Sequence, residues 1–350
     1  MVSLFKKTAI GIIVIGMAGT ANAAATSNMM GQFNVNGAFL GIDALSLQPR
    51  NDDLDFVTVF PNSSTGAVST KAIPTDYDWG FNLFGGIKFG NHDDLTLDWM
   101  RLHTNDSSSI PNPTGSFSGV GESQPRWLFT DTWTNINAKV DFNLDDVSLV
   151  MGHIINFNNP WTIRYAGGLE YAQLDSDLLV QAGNLSIPDK VFGYDSPSDF
   201  KGIGPRVDGD AIYHLPYHFA LFMNANAALL IGRRDIEFNS LQTNALKFIC
   251  PSINFTTPHV VVPRLGLRLG ASYSYAFGSA GGEGSATILD MEAGWQAETY
   301  INAIERVDSN AIDYIDRFNT QPNFIQPVTT KITSFSDQGL FFGVKLSTNW

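Results

Sequence analysis

The chain contains a single cysteine, Cys250, in 350 residues. One thiol excludes an internal disulfide framework and a cysteine-based zinc site. In an exported protein it leaves an inert residue or a bridge to another chain, so Cys250 is the candidate inter-chain disulfide. Charge is scarce too: 16% of residues are charged, and the formal net charge is −13. An acidic chain without a basic stripe is not built to neutralise phosphates, which excludes nucleic acid as a partner. Beyond the N-terminus, no apolar run approaches the roughly 20 residues of a membrane-spanning helix. A helical membrane protein is thereby excluded. No linker, Pro/Gly/Ser tract or charge block marks a boundary between domains.

The N-terminus has the three parts of a secretory signal. Lys6 and Lys7 precede an apolar run over residues 8–20, and Ala21-Asn22-Ala23 supplies a small-x-small cleavage site. The expected division is a signal peptide over residues 1–23 and one domain over residues 24–350. Losing Lys6 and Lys7 takes the formal charge from −13 to −15.

What the chain does have is 32 Gly, 25 Phe, 10 Tyr and 7 Trp, arranged with period two. Side chains alternate across a strand, so such a pattern separates an apolar face from a small or polar one. In residues 339–350, Leu340, Phe342, Val344, Leu346, Thr348 and Trp350 share a face against Gly339, Phe341, Gly343, Lys345, Ser347 and Asn349. A soluble sandwich would turn the apolar face to a core, whereas a bacterial barrel turns it to lipid. Similar alternation recurs over residues 38–48, 79–89, 94–99, 128–142, 161–172, 200–213, 219–231, 264–275 and 289–298. Past residues 143–146 the apolar phase flips to Val147, Leu149 and Met151, which predicts a bulge or a turn.

Long connections near residues 49–76, 104–125, 183–199, 233–258 and 305–337 alternate with short ones near 90–93, 157–160, 214–217 and 278–284. Long external loops, short periplasmic turns and even strand parity define an outer-membrane barrel. The expectation is all-β: a transmembrane antiparallel barrel of about 10–12 strands, ten if residues 126–153 form one bulged strand. The outer membrane of a Gram-negative bacterium follows as its place, with outer-membrane lipid around it. The terminal aromatic strand, through Phe342, Val344, Leu346 and Trp350, is the candidate signal for the barrel-assembly machinery.

Lipid-facing charges cost roughly 2–4 kcal/mol at the midplane, so the alternation sends charges inward. The candidate lumen lining is Arg164, Glu170, Arg206, Asp208, Asp210, Arg264, Arg268, Asp290, Glu292, Glu298 and Lys345. Two arrangements stay open: a transverse field at a constriction, or mutual pairing that plugs a narrow barrel. No cofactor or metal site is expected. His214 and His218 are four apart, but Pro216 between them breaks any helix, and Asp52, Asp53 and Asp55 miss calcium-loop spacing. Nucleophile-elbow and P-loop motifs are absent, so no enzyme is expected.

Several segments together resemble a known family: GIDALSLQP at residues 41–49 with NDDLD at 51–55, DYDWGF at 76–81, FGN at 89–91, LTLDW at 95–99, FKGIGPRV at 200–207 and QGLFFGVK at 338–345. The chain resembles the Legionella major outer membrane protein family of pore-forming barrels over essentially its mature length. That resemblance implies a porin-like role and no catalytic residues; the family is cysteine-linked in the envelope, but with Cys250 as the one candidate a multi-bridge network does not carry over. The expected function is passive diffusion of small solutes or ions through a channel that can be homo-oligomeric. The alternative is a narrow or plugged barrel acting through its surface loops in adhesion or envelope structure.

Overall fold

The computed structural model describes residues 36–60, 69–90, 92–111, 122–125, 135–157, 160–183, 191–243, 252–277, 287–308 and 329–349. The expected signal peptide, Cys250 and Trp350 lie outside them. The strands are β1 (Gly37–Asn51), β2 (Asp55–Phe60), β3 (Ser69–Ala72), β4 (Asp78–Phe89), β5 (Asp93–Pro111), β6 (Glu122–Pro125), β7 (Asn135–Phe157), β8 (Trp161–Gly183), β9 (Val191–His214), β10 (Phe219–Thr243), β11 (Ile253–Phe277), β12 (Thr287–Asp308) and β13 (Thr329–Asn349). Ten of them close into an antiparallel barrel in the order β1-β13-β12-β11-β10-β9-β8-β7-β5-β4, and β3-β2-β6 form a small separate sheet. Closure pairs the whole of β1 with β13, Gly37 with Asn349 and Asn51 with Phe335, so the two terminal strands seal each other's edges over this stretch.

The strands are longer than a membrane requires. A tilted spanning strand needs about 9–11 residues, whereas β8 has 23, β9 has 24 and β10 and β11 have 25 each. Much of what the sequence reads as long loops is instead strand: β5 runs to Pro111, β9 starts at Val191, β10 runs to Thr243, and β11 starts at Ile253. Each of the long strands β7–β13 therefore has a membrane half near the short turns and an extracellular half beyond it, while β4, with 12 residues, does little more than span.

Side-chain chemistry marks the boundary. On β8 the outward residues from Trp161 through Ile163, Tyr165 and Leu169 to Tyr171 are exposed and apolar; the next outward ones are Gln173, Asp175 and Asp177. At about 3.4 Å per residue and a tilt near 40°, residues 161–171 span about 25 Å, the height of the apolar band of an outer-membrane barrel. The change falls after Ile203 on β9, after Ile231 on β10 and at Val261 on β11. In the C-terminal, membrane half of β13 the exposed large apolar residues are Leu340, Phe342 and Leu346, on the lipid side as the alternation requires.

Inside the barrel the polarity runs the other way. In the extracellular half many inward residues are apolar and buried: Ile136, Val140 and Phe142 on β7, Leu174, Leu178 and Val180 on β8, Phe200 on β9, Ile236 on β10, and Phe335 on β13; among them Arg234 on β10 is buried in a pair with Glu305 on β12 (2.5 Å). Phe142 and Phe335 approach across the interior with ring centroids 5.1 Å apart. Phe56 and Val57 of β2, with Leu54 and Ile73, join the same buried cluster, so the small sheet closes over this end. Asp53, expected in a solvated loop, is buried beside Lys331 (3.0 Å) and Arg306 (3.6 Å).

This inversion corrects the reading of residues 128–153. β7 pairs with β5 and with β8 in continuous register, Phe142 opposite Ser176 and Val147 opposite Tyr171, with neither a bulge nor a turn. Even-numbered side chains point inward throughout; Ile136, Ala138, Val140 and Phe142 fill a core and do not face lipid, while Leu149 and Met151 are exposed. The apolar face changes sides because the strand passes from water into lipid, not because the backbone shifts.

Candidate functional site: a charged girdle across the lumen

In the membrane half the inward positions carry charge, and the antiparallel register stacks them in three tiers. Nearest the short turns, Arg164 on β8 donates from Nε and Nη2 to the carboxylate of Asp94 on β5 (2.7 and 2.6 Å) and from Nη1 to Asp210 on β9 (2.9 Å). This fork-to-fork contact is the geometry guanidinium and carboxylate share best. Gly152 makes room for it: a Cβ there would lie 2.5 Å from Arg164 Nε. On another part of the wall, Lys345 lies 3.2 Å from Asp290 and 3.7 Å from Glu292.

In the middle tier Arg268 on β11 donates to Asp43 on β1 (2.8 Å), and its guanidinium sits 4.1 Å from the Phe341 ring centre. Asn82 joins Asp43 (3.3 Å) to Asp98 (3.0 Å).

The upper tier is a hub. Arg264 on β11, 3% exposed, reaches Glu298 on β12 (2.7 Å), Glu170 on β8 (3.3 Å) and Asp146 on β7 (3.5 Å), and donates to Asn226 (2.5 Å). Arg206 on β9 shares Glu170 (3.0 Å) and holds Asp208 (2.8 Å). Tyr300 on β12 donates its hydroxyl to Asp146 on β7 at 2.6 Å, joining strands half-way round the ring. Glu170 and Tyr300 are fully buried. Above Tyr300 the apolar core begins, with the Phe335 ring centre 6.3 Å away.

All the candidate lumen residues thus point inward, and the ion pairs bring them together in these tiers. Of the candidate assembly signal, Phe342, Val344 and Leu346 lie on β13. The sequence reading passed over Asp43, Asp94, Asp98, Asp146, Asn82, Asn226 and Tyr300. The signal for Asp94 and Asp98 was present, since they alternate with Leu95, Leu97 and Trp99. Asp146 was hidden because the apolar phase flip there reads as a turn.

Pairing across the lumen gives the girdle its chemical character. A ten-strand barrel lies just above the size whose interior side chains alone fill, and here long arginines bridge the remaining gap. Removing one partner of such a buried network costs about 3–5 kcal/mol, because the remaining charge is left unpaired. Around Arg264 and Arg206 the carboxylates outnumber the guanidinium groups, so this part of the interior is acidic in balance. Among the described residues no group of His, Cys, Asp or Glu could hold a metal ion.

Solved structures of similar shape are the outer membrane protease OmpT from Escherichia coli (7% identity, 90% of this chain and 97% of that one, TM-score 0.39) and the Pseudomonas putida toluene transporter TodX (12% identity, 95% of each chain, TM-score 0.31). A Pseudomonas aeruginosa FadL homologue is 7% identical over 90% of each chain, with a TM-score of 0.29. At these scores none of the three bears on function. No curated protein matches the sequence. The family model described as Legionella pneumophila major outer membrane protein precursor matches residues 34–348. An outer-membrane barrel whose sequence matches that model over nearly its whole length is a member of the Legionella major outer membrane protein family.

Proposed function

We propose that the protein is a narrow outer-membrane channel for small ions, closed in the arrangement described and opened when the pairs across the lumen part. The observation that carries this reading is the Arg264 hub, which ties β11 to β8 and β7, strands with which it shares no ladder, through side chains alone. Ion pairs between walls can exchange partners without breaking the backbone ladder, which is how a side-chain gate differs from a structural core. Charged walls at membrane depth also set selectivity in channels. The negative balance favours cations. A wide diffusion pore fits poorly with a lumen whose central side chains are buried.

A second reading is supported by the apolar filling of the extracellular half, with Phe142, Phe200 and Phe335 fully buried. In it the barrel stays shut, and its extracellular end is the working surface in adhesion or envelope structure. Neither reading assigns the protein a reaction, and hydrolysis assays on lipid and ester substrates check that.

Planar-bilayer recording separates the two. The channel reading predicts brief, small openings for the wild type and longer ones for Arg264→Gln paired with Glu298→Gln. Neutralising Arg264 and Arg268 together should move the reversal potential further toward cations. Silence from well-folded wild type and variants alike would leave the closed-barrel reading. Large, steady ohmic openings of the wild type would contradict both.

A further inference from the structure

On the outer wall, where the apolar band ends, a groove of about 460 Å³ lies over β8, β9, β10 and β11. Its apolar side is Tyr171, Ile203 and Ile231, all exposed. Its polar edge carries Lys201 and Arg233, which are direct partners in the β9–β10 ladder. Both sit at the first outward positions beyond the apolar band.

Two features set this place apart from the rest of the wall. Like charges directly opposite on neighbouring strands destabilise a sheet, and this chain, with a net charge of −13, has few cations to place so. The ladder is also interrupted here. Gly232 pairs with Val260 and Arg233 with Pro258, leaving His259 as an extra residue with φ of 59°. A bulge bends the strand and re-aims its neighbours, and here it is part of the groove's lining. Arg233 has Asp235 at 3.3 Å, while Lys201 has no carboxylate at ion-pair distance among the described residues. Asp175, Asp199 and Asp235 are aligned one outward position further from the membrane, so the basic pair is the charged layer nearest the lipid.

We propose that this groove binds a phosphorylated lipid of the outer leaflet, with its phosphate between Lys201 and Arg233 and an acyl chain along Ile203, Ile231 and Tyr171. A phosphate relieves the repulsion of the opposed cations and matches the guanidinium fork. The apolar side takes the chain at the depth where acyl chains end and headgroups begin. The acidic row beyond repels the phosphate from the water side and so fixes its height. Arg101, outward on β5 and half-exposed 3.8 Å from Asp145, does not line this groove and serves as the control.

The test is native mass spectrometry of the detergent-purified protein with a bis-phosphorylated, multiply acylated glucosamine lipid. The same lipid without phosphates and inorganic phosphate alone are the comparison probes. The wild type should retain one phosphorylated lipid. The Lys201→Gln/Arg233→Gln variant should retain it about 30-fold less well, the effect of two surface cations on one anion. Arg101→Gln should match the wild type. Ile203→Ser/Ile231→Ser, which keeps both cations, should also lose retention, and Lys201→Arg should preserve it. Heat-modifiable gel migration confirms that each variant is folded. Equal retention by wild type and Lys201→Gln/Arg233→Gln, or equal retention of the dephosphorylated lipid, would overturn the proposal. So would inorganic phosphate competing as strongly as the lipid, since the site would then read a free anion.

Discussion

The two halves of the barrel use one backbone ladder and opposite chemistry. In the membrane half, apolar residues such as Leu169 and Met151 face out, while Arg164, Glu170 and Arg264 face in. In the extracellular half, Asp175 and Gln181 face out, while Leu174, Leu178 and Phe200 face in. The outer surface adapts to its solvent, lipid below and water above, and the interior takes the complementary role. Above the boundary, apolar burial holds the strands together as it would in any soluble protein. Below it, lipid competes equally for apolar side chains, and fixed charge pairs between strands give the interior its specificity.

The largest effects should come from emptying either interior. Phe142→Ala removes a fully buried ring from the extracellular core, and about 3–5 kcal/mol of stability should go with it. Arg264→Ala should cost a similar amount by stranding Glu298 and leaving Glu170 to Arg206 and Asp146 to Tyr300. Denaturant titrations of the protein in lipid vesicles measure both. Should either prove neutral, that half owes its stability to something other than its filling.

Outward substitutions sharpen the contrast. Met151→Arg places a charge near the middle of the lipid band and should cost about 2–4 kcal/mol. Gln181→Arg, outward on the extracellular half of β8, should stay within about 0.5 kcal/mol. Equal costs at the two sites would erase the distinction between the halves. A smaller loss, about 1–3 kcal/mol, is expected for Gly152→Ala, whose new methyl pushes Arg164 away from Asp94. The same titration checks it against Gly183→Ala, where a Cβ meets open space.

The smallest effect concerns pH. Asp199, outside the membrane, has its carboxyl pushed up to about 6 by burial and then by Asp175 and Asp177. An acid whose pKa is raised on folding binds its proton more tightly when folded. Its contribution is therefore full below the unfolded value near 3.8 and lost as pH rises through about 6. Asp199→Asn should flatten the pH dependence of stability in that window. An unchanged slope would place the dependence on other acids.

Much of the membrane half could be read directly from alternation, because one rule governs it: charges avoid lipid. Arg164 opposite Asp210, or Lys345 opposite Asp290, needs only the strand period and the antiparallel register. The extracellular half resisted the same rule. Ile136, Val140 and Phe142 alternate just as Leu149 and Met151 do, yet face the other way, and a period of two does not say which solvent lies outside. Strand length was hidden for a related reason: the outer ends of β9 and β11 carry Ser, Pro, Asp and Thr, residues common in loops, here held by the ladder and an inward apolar core. The Arg264 hub depends on contacts between distant walls, which local sequence does not encode.

The boundary between lipid and water along β8 tests the central claim most directly. On a Cys250→Ser background, single spin labels at 163, 165, 169, 171, 173, 175, 177 and 181 would be compared for collision with oxygen and with a water-soluble nickel chelate. The account predicts oxygen-dominated relaxation through 171 and nickel-dominated relaxation from 173 onward. Oxygen-dominated relaxation continuing to 181 would place the whole strand in lipid and contradict it.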